Sequence, residues 1–466
     1  MLIFNDISLQ EFTPFFHVIE TLIKRVDVFL PVYKARFMYE IPMIWMKKDA
    51  LETGAKDLRQ AYTLYSLEDC GLKGNQPVLA GRRVLLPNLS LRDFRCGSVI
   101  DWIEFEFPTV GEHQATNIQR FAVKYLQDTR SSSTLYITGP NQKKWYQGRQ
   151  FRIRLQQPNP DEFKGFLGAL SAKYPTAKAI ADLRILEIEV SVDFYVLKKF
   201  LGDQNAAGSK RELMVDLLRR HLMPHTTLTK LPGGAPRFYD SRKGAKGGTR
   251  ILEFAAHVGH FEQEVACHAL KLGTDILKPF DPAIHHRTPI DTTSYVGCKP
   301  PIQIRVMDKV TDNRDPVSGS HLELPLANRR ARVEITFYEG NGYEGVTEAL
   351  GLNTLADLRD FQFKDLRKMA FEYFLPTISD STPDKDLPFD LAFDEWDVFS
   401  KSGIYGYDCF HRSISTIARE RFRRRQIKEK PAKLGRKGYA VSYEELNRMM
   451  DRALKRLSDE WGQYSA

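Results

Sequence analysis

Hydrophobic and polar residues alternate in four separate segments of the chain, which is the pattern of β-strands that bury one face. The segments are residues 99–107, 151–155, 185–194 and 332–337. In the first of them Ile103, Phe105 and Phe107 share one face, because successive side chains of a strand point to opposite sides. Together the four segments predict an antiparallel or mixed sheet with one apolar and one polar face.

Helical spacing of apolar residues predicts the elements that cover the apolar face. The predicted helices are residues 161–172, 209–222, 355–374 and one that follows Ser442, with a further helix-like stretch at 57–65. Ser209 stands three residues before Glu212, and Ser442 three before Glu445, which is the spacing of a capping box. The sequence therefore predicts an α+β fold with helices on one face of the sheet, an open polar face, and a helical C-terminal region.

The length of 466 residues favours more than one domain, because a single core rarely grows so large. A polar stretch at 90–98 marks one boundary, and we divide the chain into an N-terminal region of open role (1–97), a central α+β domain (98–345) and a C-terminal helical region (346–466). No apolar run approaches the ~20 residues of a membrane span, and the five cysteines form no C-x-x-C pair. We expect a cytoplasmic protein that does not bind a membrane.

Positive charge is concentrated near the C-terminus. Between His411 and Lys437 there are eleven Lys and Arg residues against two Glu, which equals the whole net charge of +9. Such a concentration attracts nucleic acid by neutralising phosphates and releasing counterions, so we expect this segment and the open sheet face to bind DNA. The basic residues expected to contact DNA here are Arg421, Arg423, Arg424, Arg425, Lys433, Arg436 and Lys437. A helix that merely packs on the core is the alternative for the C-terminal element.

Carboxylates occupy alternate positions of the third strand, at Glu187, Glu189 and Asp193. Like charges about 6–7 Å apart repel, so this row needs a counter-charge. Oxygen ligands grouped in this way suit a hard divalent cation such as Mg²⁺ or Mn²⁺, with Glu334 of another strand as a further ligand. Salt bridges to basic neighbours such as Arg332 are the alternative.

Residues 236–250 combine aromatic, basic and glycine residues, the composition of a loop or hairpin that approaches a phosphate backbone. Tyr239 lies within this segment. Beside a metal-activated phosphate, a tyrosine hydroxyl can attack phosphorus and form a covalent phosphotyrosine. The basic residues expected to contact DNA around the strands are Arg237, Arg242, Lys243, Lys246, Arg250 and Arg332.

Two other kinds of site are disfavoured. His257 and His260 with Cys267 could ligate zinc, but the glutamate of an H-E-x-x-H motif is missing. None of the histidines forms a His-x-His pair, so the paired-histidine metal site of many strand-nicking enzymes is not predicted. The sequence also contains no G-x-x-x-x-G-K-[ST] loop, which argues against an ATP-driven helicase.

The order of these motifs resembles the Rep-trans type of rolling-circle replication initiators of small plasmids and the related relaxases of integrative conjugative elements. The matching segments are residues 100–107, 151–170, 187–194, 237–243 and 332–337, within roughly residues 98 to 340. The resemblance implies a carboxylate-bound divalent metal, with Glu189, Asp193 and Glu334 at the positions of the family's acids. It also implies a tyrosine that cleaves one DNA strand and keeps the 5′ end. At the family's tyrosine position this chain has Leu252, which leaves Tyr239 or another tyrosine for the role.

The sequence hypothesis is therefore a metal-dependent enzyme that binds a DNA origin, as duplex and single strand, and nicks it with Tyr239. A homodimer and a host helicase are candidate partners. A non-catalytic origin- or operator-binding protein on the same sheet is the second hypothesis, and the acids are structural in it. A general RNA-binding protein is disfavoured because Trp102 is the one aromatic residue on the proposed polar faces.

Overall fold

The computed structural model describes most of the central chain in several stretches. These are residues 39–45, 58–70, 79, 81–131, 133–139, 147–229, 236–240, 250–253, 288–290, 293–314, 321–338, 350–379, 395–396, 398–400, 402–412 and 439–464. Their strands are β1 (Glu40–Trp45), β2 (Arg59–Tyr65), β3 (Arg82–Pro87), β4 (Phe94–Gln114), β5 (Thr134–Thr138), β6 (Gln147–Gln156), β7 (Ile185–Val196), β8 (Arg237–Asp240), β9 (Arg250–Glu253), β10 (Thr288–Ile290), β11 (Ser294–Cys298), β12 (Ile302–Lys309), β13 (Thr311–Arg314), β14 (His321–Glu323), β15 (Arg330–Phe337), β16 (Phe374–Ser379) and β17 (Ala440–Ser442). The α-helices with described bounds are α1 (Ala115–Asp128), α2 (Pro160–Lys173), α3 (Gln204–His221), α4 (Thr226–Thr229), α5 (Leu366–Ala370) and α6 (Glu444–Trp461), and residues 402–412 are helical as well.

A nine-stranded antiparallel sheet carries the four strands that the alternation predicts. Its order is β5-β6-β4-β7-β15-β12-β11-β8-β9. Ile103, Phe105 and Phe107 have no exposed surface and lie opposite apolar residues of β6, so the predicted faces are confirmed. The α+β fold class is confirmed as well.

Helices cover the apolar face of this sheet. Phe163 of α2 packs edge-on against Phe105, with ring centroids 5.8 Å apart, and Trp461 of α6 packs against Phe163. Helix α3 contacts β7, β12 and β15. Each of α2 and α3 begins at a side chain that caps its free N–H groups, Asn159 and Asp203 respectively. These helices bury the continuous apolar surface that the strand pattern creates.

Some helices differ from their prediction. Ser209 lies inside α3, which begins five residues earlier, and Ser442 makes no cap for α6, although its hydroxyl accepts a hydrogen bond from Asn447. Residues 355–374 contain two 3-10 helices and the short α5, and then β16 begins. Residues 59–65 form β2 rather than a helix. In β2 and β16, pairing with β3 outweighs the local helical spacing.

A six-stranded sheet combines distant parts of the chain in the order β10-β1-β2-β3-β16-β17. Its one parallel pair is β1 with β10, and its core includes Tyr62, Phe399 and Tyr407. Strands from all three predicted regions meet in it, and β4 runs across the predicted boundary after residue 97. The three regions therefore share sheets and core, instead of separating at residues 97 and 345.

The polar face of the large sheet is closed at its centre. Glu189, Asp193, Arg332 and Glu334 are each at most 2 % exposed. The open face that the sequence predicts is therefore absent at the centre of β7 and at β15, where the polar side chains are buried. Across the described stretches, no helix has the length and apolar character to cross a membrane.

Candidate metal centre

A β-bulge in β4 brings Asp101 next to Glu189. Ile100 pairs with Val190, and Trp102 pairs with Glu189, so Asp101 is the extra residue of β4 at this point. In a bulge of this kind two consecutive residues oppose one residue of the partner strand. The bulge therefore moves Asp101 to the polar face, where strict alternation does not place it.

Three carboxylates meet there. One oxygen from each of Asp101, Glu189 and Glu334 lies within 4.8 Å of the other two. Glu189 and Glu334 lie on the neighbouring strands β7 and β15, with side chains 2 % and 3 % exposed, whereas Asp101 is 16 % exposed. Grouped carboxylate oxygens are the donor set that Mg²⁺ and Mn²⁺ prefer.

Two arginines offset part of the negative charge of this three-carboxylate cluster. Arg305 Nη2 donates to Glu189 Oε2 at 2.5 Å and contacts a carboxylate oxygen of Glu334. Arg332 Nη1 donates to Asp101 Oδ1 at 2.7 Å. The hydroxyl of Thr336 donates to Glu189. The three acids and two guanidinium groups leave one negative charge in a buried site.

The pKa values of the acids reflect this balance. Burial, followed by repulsion from Glu189, raises the pKa of Glu334 to about 8 against the opposing effect of Arg305. Burial also raises the pKa of Glu189, and the Asp101 charge adds to this effect. For Asp101, burial acts in the same direction, but the Arg332 guanidinium outweighs it and holds the pKa below its usual range. The cluster is thus stabilised by a bound proton or by a further cation.

Asp193 does not belong to the cluster. It lies opposite Arg332, which donates to both of its carboxylate oxygens, and Arg330 Nε lies 3.1 Å from Asp193 Oδ2. Each acid of the row on β7 instead pairs with an arginine of its own. Glu187 pairs with Arg154 at 2.7 Å, Glu189 with Arg305, and Asp193 with Arg332. This is the salt-bridge alternative for Asp193, while Glu189 and Glu334 have the geometry of metal ligands.

Arg332 was expected to bind DNA, and the structure places it differently. Its side chain is 1 % exposed, and its guanidinium is engaged by Asp193 and Asp101. Burial raises the cost of its charge, but the carboxylates around it raise its pKa above the ordinary value. Arg332 is therefore a buried organising residue of the polar face.

The segment with Tyr239 forms the predicted hairpin. Strands β8 and β9 pair so that Tyr239 lies opposite Ile251, and Phe238 opposite Leu252. The register runs from Arg237 through Tyr295 and Arg305 to Glu334, so Arg237 and Tyr239 take positions on the polar face. Position 252 falls on the other face. The register thus places residue 239, and not residue 252, on the polar face.

The other residues expected to contact DNA lie outside the described residues. Apart from Arg250, whose backbone is in β9, they are Arg242, Lys243, Lys246, Arg421, Arg423, Arg424, Arg425, Lys433, Arg436 and Lys437. The zinc alternative at His257 also lies outside them.

The sequence predictions did not include two residues of this site, Asp101 and Arg305. The signal for Asp101 is present in hindsight, since Ile100 and Ile103 both face the core three residues apart, a spacing that requires a bulge. For Arg305 the signal is the alternation of Ile302, Ile304 and Val306 with polar residues, which is interrupted where Asp308 on the apolar side pairs with Arg211 of α3.

Comparisons with protein-family models, with curated proteins and with solved structures give no match for this chain.

Proposed function

We propose that this chain is a metal-dependent DNA nicking and joining enzyme of the replication-initiator or relaxase kind, active in the cytoplasm. The observation that carries the proposal is the three-carboxylate cluster of Asp101, Glu189 and Glu334, built on the polar face of an antiparallel sheet. The basic segment before Lys437 supports a polyanionic substrate. The resemblance of the motif order to rolling-circle initiators supports DNA as that substrate.

The residues present fit a hard divalent cation. Asp101, Glu189 and Glu334 would hold it through carboxylate oxygens, and such an ion supplies Lewis-acid stabilisation of charge on a phosphate. Arg305 would have to leave its place between Glu189 and Glu334. Its side chain is 30 % exposed, so it has a route to solvent and to a phosphate of the DNA. The guanidinium can thus exchange a carboxylate for a phosphate when metal enters.

A non-catalytic DNA-binding protein is the second candidate. The observation that favours it is the pairing of Asp101 with Arg332 and of Glu189 with Arg305. In that case the acids and arginines hold the strands together, and no cation enters.

Metal binding separates the two candidates before any DNA site is known. Mn²⁺ titration of the full-length chain, followed by electron paramagnetic resonance, is expected to give one specific site that Glu334→Gln weakens at least about tenfold. The matched control is Glu323→Gln, at a side chain that is 77 % exposed. Equal binding by both variants, or none by the unsubstituted chain, would rule out the metal centre and leave the non-catalytic reading.

The second step is nicking of supercoiled DNA that carries the native locus, with Mn²⁺ or EDTA, read on a denaturing gel. The nicking function requires Mn²⁺-dependent strand cleavage with protein attached to the 5′ end. Specific DNA binding without cleavage, at Mn²⁺ concentrations that fill the site, would instead support an origin- or operator-binding protein.

A further inference from the structure

The hydroxyl of Tyr195 lies within hydrogen-bond reach of a buried carboxylate. It donates to Asp193 Oδ2 at 3.3 Å. Asp193 is itself fixed by Arg332, whose Nε and Nη2 donate to its two oxygens at 2.6 and 2.8 Å. A nucleophile in hydrogen-bond reach of a base, with the base held by a third group, is the general signature of nucleophilic catalysis.

Two further cations flank the ring of Tyr195. Arg95 and Arg330 are its register partners on β4 and β15, and their guanidinium carbons lie 4.4 and 5.7 Å from the ring centroid. Arg95 is exposed, whereas Arg330 is buried and its Nε lies 3.1 Å from Asp193 Oδ2. Arg95 therefore offers an accessible guanidinium to a phosphate beside the hydroxyl.

There is open space beside this group. Gly97 is the register partner of Asp193 on β4, and a methyl group added at Gly97 would meet no atom within 4 Å. Its neighbours on the same face, Arg95 and Val99, are both exposed. The polar face is thus buried at Glu189 and Glu334 but accessible at the end that carries Tyr195.

A chain of contacts joins Tyr195 to the cluster. Tyr195 donates to Asp193, and Arg332 donates to both Asp193 and Asp101. Tyr195 follows Glu189 by six residues on β7, about 20 Å along the strand, so Arg332 is the link between the two groups.

We propose that Tyr195 is the tyrosine that attacks the DNA, with Asp193 as its base and with Arg95 as a ligand of the scissile phosphate; this rests on the nicking function proposed above. In the step, the Tyr195 oxygen forms a bond to phosphorus, and the bond from phosphorus to the 3′-oxygen breaks. The phenol proton passes to Asp193. The 3′-oxygen leaves with the bond's electron pair and takes a proton from water, so the 5′-phosphate stays on Tyr195.

The test maps the covalent bond directly. The full-length chain is incubated with Mn²⁺ and supercoiled DNA that carries the native locus, the adduct is digested with nuclease and protease, and mass spectrometry identifies the peptide that bears the nucleotide. We expect it on Tyr195. Tyr195→Phe should reduce adduct formation by about 10³-fold or more, with Mn²⁺ binding unchanged. Tyr136→Phe is the matched control, on an exposed tyrosine of β5, and should behave as the unsubstituted chain.

The outcomes separate this assignment from the function it rests on. A nucleotide on Tyr239 or on another tyrosine overturns the role of Tyr195 and leaves the nicking function standing. No adduct from the unsubstituted chain, when it binds both Mn²⁺ and the DNA, overturns the nicking function and this role together. If Tyr195→Phe does not fold, the peptide map of the unsubstituted chain decides alone.

Discussion

Arg332 donates two parallel hydrogen bonds to Asp193, from Nε at 2.6 Å and from Nη2 at 2.8 Å, and both side chains are buried. This geometry fixes the plane of the guanidinium. Its remaining nitrogen, Nη1, then points to Asp101 Oδ1 at 2.7 Å. One arginine of β15 therefore orients an acid of β7 and an acid of the β4 bulge together.

Replacing Arg332 by Met is expected to lower the free energy of unfolding by about 3–5 kcal/mol, because Asp193 and Asp101 lose their buried counter-charge. Urea denaturation at neutral pH measures this change in the free energy of unfolding. Arg152→Met is the matched control, since Arg152 is 44 % exposed and lies 3.7 Å from Glu104. Exposed pairs of this kind contribute below about 1 kcal/mol. Similar losses in the two variants would show that Arg332 is not the organising residue.

Glu334 should make the metal-free chain less stable as the pH rises. Its pKa in the folded chain is about 8, above the ordinary value of 4.5, so the folded state holds a proton that the unfolded state releases. The bound proton contributes on the order of a few kcal/mol to the free energy of unfolding. This contribution is complete below pH 4.5 and is lost as the pH rises through about 8. Urea denaturation from pH 5 to pH 8 should show a downward slope that Glu334→Gln flattens. The slope should survive in Glu323→Gln.

His221 should make the folded chain less stable as the pH falls, which is opposite to the effect of Glu334. His221 is fully buried, with Nε2 3.1 Å from the Tyr62 hydroxyl and Nδ1 2.8 Å from the Phe374 carbonyl oxygen. Burial lowers its pKa to about 4 from 6.5. The unfolded state then binds the proton first, so stability is complete above pH 6.5 and falls as the pH drops toward 4, by about 3 kcal/mol. Thermal or urea denaturation of His221→Gln should lack this acid-side loss, whereas exposed His225→Gln should retain it.

The basic segment should govern the salt dependence of DNA binding. Replacing Arg423 and Arg424 by Ser should remove two of the proposed phosphate contacts, and each lost contact reduces the slope of log K against log salt by about 0.9. Fluorescence anisotropy with a duplex oligonucleotide at several salt concentrations measures this slope. The pair Lys173→Ser and Lys178→Ser, exposed residues at and beyond the end of α2, is the control. An unchanged slope in the arginine variant would place the DNA elsewhere.

Much of the fold follows from period-2 alternation, and its failures have physical causes. The buried faces of β4, β6, β7 and β15 were predictable because apolar burial decides them. The strand β16 was not, since its local spacing is helical and pairing with β3 and β17 overrides it.

The candidate site was only partly predictable for a related reason. Glu189 and Glu334 could be identified because both stand on polar positions of recognisable strands. Asp101 reaches them through a bulge, and Arg305 through the register of β12 with β15, and neither depends on local sequence alone. The burial of the polar face is a property of the assembled fold, which strand alternation does not encode.

The composite six-stranded sheet has a consequence for biosynthesis. Its β1 and β2 come from the first 65 residues, whereas β17 is made after residue 439, and α6 must still reach Phe163. A ribosome therefore delivers the early strands long before their neighbours exist. Contacts of such high sequence separation slow folding, so we expect the nascent chain to need protection of its unpaired edges until synthesis is complete.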